Sequence, residues 1–169
     1  MRRMAAGTLI VALVLAGLGI RVFMGRAAED RLRPGESIAI RDLRDPIPGN
    51  AFLACPPDYC AATAMASPTF ALSAKRLADR WLEMIADQPG IVIVSDEPAQ
   101  HRHVVIQHTR VLRFPDIVTV EFVALAPDRS SLAIYSRSRY GRGDFGTNRR
   151  RVLAWLSQIE QRADVKTPQ

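Results

Sequence analysis

Between residues 91 and 139 the sequence sets one apolar, β-branched run after another with almost no chain between them. The runs at 103–114, 117–126 and 132–139 are separated only by Pro115-Asp116 and by Pro127-Asp128-Arg129-Ser130. Parallel neighbours need a crossover of about a dozen residues or more, so such connections leave an antiparallel meander. A shorter run at 91–94 precedes them and stops at Asp96-Glu97-Pro98.

Helical periodicity brackets this β-rich stretch. Over 73–87, Leu77, Trp81, Met84 and Ile85 fall at i, i+4, i+7 and i+8, with Ser73 as N-cap and Gln88-Pro89-Gly90 as the stop. A closing helix over 147–161 turns Val152, Trp155, Leu156 and Ile159 inward. The expected fold is α+β: an antiparallel sheet of about four to five strands with both helices packed on one face. It occupies 51–162 and leaves a tail at 163–169; a chain of 169 residues holds one such domain and not two.

The chain ahead of residue 51 is of a different kind. An uncharged run from Met4 to Ile20 would rise about 25 Å as a helix, slightly short of a ~30 Å hydrocarbon core. Val22-Phe23-Met24 closes the gap if Arg21 snorkels to the interface. Residues 1–24 therefore read as a transmembrane anchor, or as a cleaved signal segment with its exit at Gly25-Arg26-Ala27. The run exceeds the usual signal core, which favours the retained anchor. The expected location is the inner membrane, with the domain on the periplasmic or extracytoplasmic side, or secretion if the segment is cut. Residues 25–50 mix charges with Pro34, Gly35, Pro46, Pro48 and Gly49, and read as a linker.

The formal net charge of +6 comes from 21 Arg and 2 Lys against 17 acidic residues. It is unevenly placed. Beyond Met24 the net charge is +3, and the segment Ser136 to Arg151 alone carries +5. On its strand Tyr135, Arg137 and Arg139 share one face, while Ser136 and Ser138 share the other with Ile134. Asn148 lies four residues before Val152 and so faces inward, where an amide needs partners. Asp144 sits just before the helix, where free N–H groups and the dipole favour a carboxylate, and it could also pair with Arg137 or Arg139. One reading is a salt-bridged corner joining strand to helix. The other is an anion site built from Arg137, Arg139, Asp144, Asn148 and Arg149.

Two cysteines, Cys55 and Cys60, flank a Pro-Pro turn. Their spacing closes a disulfide if the turn brings the α-carbons within about 6 Å, and otherwise leaves two thiols. No second pair completes a zinc site, and no metal or cofactor is expected. His101 and His103 are expected on one strand face and His108 on the other, as exposed residues rather than a shared site. No nucleophile elbow or phosphate-cradling glycine loop is present.

Three segments carry a resemblance. They are Leu112-Arg113-Phe114-Pro115-Asp116, Ser136-Arg137-Ser138-Arg139-Tyr140-Gly141, and the stretch Asp144-Phe145-Gly146, Asn148-Arg149, Arg151-Val152. Together they resemble the bacterial and plastid family known as domain of unknown function 1499, over about 50–162. Cys55 to Cys60 followed by Ser67-Pro68 is similar to one branch of that family. Gly143 stands where the family pattern has Ser, which removes a side-chain oxygen from the corner. The family has no established activity, so the resemblance implies a domain and no catalytic residue.

The expected function is a membrane-tethered, non-enzymatic binding or envelope-associated module. Its arginine corner would take a small anion, a lipid headgroup or a partner protein; nucleic acid is disfavoured, because no stacking-platform motif accompanies the aromatics. One alternative is an enzyme of unrecognised class using Asp144 with Arg137 and Arg139. Another is a purely structural module.

Overall fold

The computed structural model describes residues 31–33, 35–97, 101–110 and 113–163. The expected anchor at 1–24 lies outside the described residues, as does the tail beyond Ala163. No helix among the described residues is long and apolar enough to cross a membrane. From Arg33 onward the chain is one compact unit.

A short 3-10 turn at Ile40–Asp42 precedes the regular elements. In chain order these are β1 (Ala51–Cys55), β2 (Met65–Ala66), β3 (Thr69–Phe70), α1 (Ala74–Ala86), β4 (Ile91–Glu97), β5 (Arg102–His108), β6 (Pro115–Ala126), β7 (Arg129–Ser138) and α2 (Thr147–Ala163). The seven described strands form one mixed sheet in the order β2-β1-β7-β6-β5-β4, with β3 also paired to β7. All pairs are antiparallel except β1 with β2.

The α+β class, the β4–β7 meander and the two helices on one sheet face match the sequence expectation. Ser73 caps α1, its Oγ accepting from the Arg76 N–H at 3.4 Å. Leu77, Trp81, Met84 and Ile85 meet Val152, Trp155, Leu156 and Ile159 of α2 over Val105, Val118, Val120, Phe122 and Ile134. Trp81 lies edge-on to Trp155 at 5.4 Å and to Phe122 at 6.4 Å between ring centroids.

The strand count is a correction: seven, not four to five. Strands β2 and β3 have two residues each, too few for periodicity to register. Strand β1 is apolar throughout because both its faces are covered, so it shows no alternation. The reversal between β5 and β6 also lies earlier than Pro115-Asp116, which belong to β6. The turn is tied instead by Thr109, whose Oγ1 accepts from Phe114 N at 2.8 Å and whose carbonyl accepts from Arg113 N at 3.0 Å. Pro115 opens β6, the strand position at which proline is tolerated.

The expected linker is largely part of the domain. From Glu36 onward it straps across the sheet face opposite the helices. Ile40 is fully buried with Leu53, Cys55, Ala133 and Tyr135, and Ile38, Leu43 and Ile47 pack around it. Its backbone is satisfied by the sheet: Ile40 N donates to Glu121 Oε1 at 3.1 Å. Dispersed among prolines and charges, these apolar residues carry no helix or strand period. Truncating Ile40 to Ala should cost about 2–5 kcal/mol of folding free energy in a denaturant titration. A loss within about 0.5 kcal/mol, as at an ordinary surface position, would show that the strap is not part of the core.

Candidate functional site

The arginine-rich corner resolves into three places. On the helix side, β6, β7 and the first turn of α2 converge on a buried polar joint. Arg151 donates from one guanidinium nitrogen to Asp116 Oδ2 at 2.5 Å, and from the other to Ser136 Oγ at 2.9 Å and Asn148 Oδ1 at 2.6 Å. Ser136 Oγ–H donates to Asn148 Oδ1 at 2.6 Å. Asn148 Nδ2 donates to Asn50 O at 2.9 Å and Ser138 Oγ at 3.2 Å, which sews α2 to the start of β1. Asn148 is fully buried and Asp116 is 1% exposed.

Asp144 caps α2. Its Oδ2 accepts from Asn148 N at 2.7 Å and its Oδ1 from Gly146 N at 2.9 Å. Burial pushes this carboxyl up, but the N–H groups of Asn148 and Gly146 outweigh it and hold the pKa below the ordinary value. Gly146 has φ +74°, and a Cβ there would also meet the Arg150 guanidinium at 3.3 Å, so this position requires glycine.

The opposite sheet face holds Arg137 and Arg139. Arg139 donates to both carboxylate oxygens of Glu36, at 2.8 and 2.7 Å, and Arg137 donates to the Glu36 carbonyl at 3.2 Å. The Arg139 side chain is 2% exposed, so this is a buried two-point pair. Burial raises the Glu36 pKa, but the Arg139 bonds and the Arg33 N–H lower it further, leaving it below normal. Beside it Glu121 accepts from Arg102 Nε at 2.9 Å and from the Tyr59 hydroxyl at 2.9 Å.

The five anion-site residues therefore do not form one site. Asp144 and Asn148 belong to the joint, Arg149 stacks over the Phe52 ring at 5.8 Å on the same side, and Arg137 and Arg139 lie across the sheet. What remains outward is a rim of exposed residues, Arg142, Arg149 and Arg150 with Phe145 between them in the chain. The sequence reading gives Asp116, Arg151 and Glu36 no place among the candidate site residues: Asp116 is taken as a turn, Glu36 as linker, and Arg151 only as one charge of the basic segment. Arg151 was within reach, since Asn148, Arg151 and Trp155 share one helical stripe.

Cys55 and Cys60 are joined in a disulfide with a Cα–Cα distance of 6.2 Å. The histidines correct an expectation. His103 is 6% exposed and packs edge-on to Phe122 at 5.3 Å, because the helix layer covers β5. Its pKa is lowered by burial, against the pull of Asp96 and Asp79. His108 is buried too, while His101 sits before β5 at φ +49°. Among the described residues no three His, Cys, Asp or Glu side chains gather as for a metal ion. A groove of about 330 Å³ runs between Met65–Pro68 and the α2 residues Leu153, Leu156, Ser157 and Glu160, with one titratable group in its lining.

The class this defines is a single α+β domain whose sheet and closing helix are locked by a buried ionic joint. The chain belongs to the family described as Protein of unknown function (DUF1499), whose profile matches residues 46–159. No curated protein matches the chain. Among solved structures it is similar to the di-domain ARO/CYC BexL from the BE-7585A biosynthetic pathway, with 14% identity and a TM-score of 0.39. That alignment covers 56% of this chain and 45% of BexL, less than half of its length. A START superfamily protein from Mycobacterium smegmatis aligns at 11% identity and a TM-score of 0.35, covering 58% of this chain and 94% of that one. The Zhui aromatase/cyclase from Streptomyces sp. R1128 aligns at 14% and 0.31, covering 57% and 92%. Likenesses this distant bring no activity or ligand to this chain.

The joint makes two predictions. Asp116→Ala leaves the Arg151 guanidinium buried without its carboxylate and should cost about 3–5 kcal/mol, whereas Asp116→Leu with Arg151→Met should recover most of that in denaturant titrations. If the double variant is as unstable as the single one, the pair is not the source of the loss. Asp144 has a folded-state pKa below its unfolded value, so its contribution is complete above the usual carboxylate range and is lost as pH falls through the lowered value. Asp144→Asn should accordingly flatten the acid limb of the melting temperature against pH; an unchanged slope would remove that role.

Proposed function

We propose that the domain is a non-enzymatic binding module of the cell envelope, held near the membrane by its N-terminal segment. Its binding element is the exposed arginine rim, Arg142, Arg149 and Arg150, and its ligands are anionic. One observation carries this reading: the other charged groups of the corner already have partners inside the fold. Arg151 is matched by Asp116, Arg139 by Glu36, and Asp144 by backbone N–H groups. The rim arginines are exposed, with Arg149 over the Phe52 ring and Arg150 donating to the Phe145 carbonyl.

An enzyme using Asp144 with Arg137 and Arg139 draws no support from this geometry, since the carboxylate and the two arginines lie on opposite faces of the sheet. A purely structural module is the second reading, favoured by the number of corner residues engaged in the joint. Inorganic pyrophosphate separates the two. With the full chain in neutral detergent, pyrophosphate at about a hundred times its Kd should stabilise the fold by about 2.7 kcal/mol. Arg142→Gln, Arg149→Gln and Arg150→Gln together should abolish that stabilisation, read as the shift from the variant's own melting temperature without pyrophosphate. Absence of stabilisation by pyrophosphate in the unaltered chain would leave the structural reading.

A further inference from the structure

The rim is not alone at its end of the sheet. Asp116 pairs with Ser138 and His108 with Pro115, so the β5–β6 turn and the β7–α2 corner leave the sheet side by side. The Arg139 N–H donates to the Pro115 carbonyl at 3.2 Å and ties the two together. Each loop presents an aromatic ring to solvent beside arginine: Phe114 (52% exposed) next to Arg113, and Phe145 (98% exposed) between Arg142 and Arg149.

Phe145 is held in this position. Its φ is +52°, a left-handed conformation that phenylalanine rarely adopts. The Asp144 cap and the Arg150 guanidinium, which donates to the Phe145 carbonyl at 2.8 Å, fix the backbone on either side. A polar residue or glycine would relieve the backbone and remove the exposed apolar ring. An almost fully exposed ring on a constrained loop, flanked by arginines, suits a boundary that is apolar underneath and anionic on top.

We propose that this end of the sheet docks on an anionic phospholipid bilayer. Phe145 and Phe114 enter the headgroup layer, while Arg113, Arg142, Arg149 and Arg150 meet the phosphates. This rests on the reading of the rim as an anion-recognising surface and commits that surface to one partner. Charge complementarity carries the choice: the acids of these two loops that the structure describes, Asp116 and Asp144, are engaged inside the joint and the cap. Neither ring lies on the sheet face as a platform for bases.

The test uses the full chain reconstituted in phosphatidylcholine vesicles, with or without phosphatidylglycerol, both containing brominated acyl chains. Trp81 and Trp155 are buried, so Phe145→Trp adds a distinguishable reporter. Its emission should shift to the blue and be quenched only in the anionic vesicles. The ratio of docked to undocked protein should fall about fivefold for each of Arg113, Arg142, Arg149 and Arg150 changed to Gln, and fall again as salt rises. With a Phe114→Trp reporter, Phe145→Asn should lower docking while the melting temperature holds or rises. If Phe145→Trp does not fold, hydrogen exchange at 141–147 in the unaltered chain gives the same answer, with protection in anionic vesicles only. Emission and exchange that are identical in both vesicle types overturn the docking. If pyrophosphate still stabilises the chain in that case, the anion-binding reading stands and the bilayer falls; if it does not, both fall.

Discussion

The ion pair between Asp116 and Arg151 lies where the sheet meets its closing helix, and the corner is arranged around it. Two charges taken out of water are costly, and the cost is recovered only if the geometry is good and the remaining donors are used. Here one guanidinium nitrogen serves the carboxylate and the other serves Ser136 and Asn148. Asn148 then spends its amide on Asn50 and Ser138, and its N–H on Asp144. The first turn of α2 is thereby set in position. That in turn brings Trp155 against Trp81 and shapes the loop that presents Phe145.

The same arrangement explains what the family pattern marks. Asp116, Ser136, Ser138, Asp144, Asn148 and Arg151 come from three separate stretches of sequence, and all six meet in the joint or its cap. Such a pattern is the signature of a way of closing a sheet with a helix. Residues engaged in this way have few spare donors or acceptors for a ligand.

Much of this architecture could be read from periodicity. The two amphipathic helices, the β4–β7 meander, the inward Asn148 and the Asp144 cap all follow from local rules, because each is decided within a few residues of chain. The misreadings share the opposite property. Asp116 is a turn residue by local chemistry and becomes a buried strand carboxylate only because Arg151, thirty-five positions later, needs it. Glu36 and Ile40 sit in a segment with no period at all, and their roles come from Arg139, Glu121 and Tyr135 across the sheet. Strand β1, covered on both faces, loses the alternation that would have announced it. The candidate anion site failed as a unit for a simple reason: successive strand residues point to opposite faces, and the arginines alternate out of phase with the helix that follows.

The strap across the second face has a consequence for processing. Among its described contacts with the domain, Arg33 lies over the Tyr140 ring at 5.4 Å. The small-residue exit at Gly25-Arg26-Ala27 precedes that contact in the sequence. A peptidase cutting there would release a domain with its strap whole, its second face sealed and its disulfide loop in place. Tethered and released forms would then share one fold, and the choice between them would belong to the peptidase rather than to folding thermodynamics.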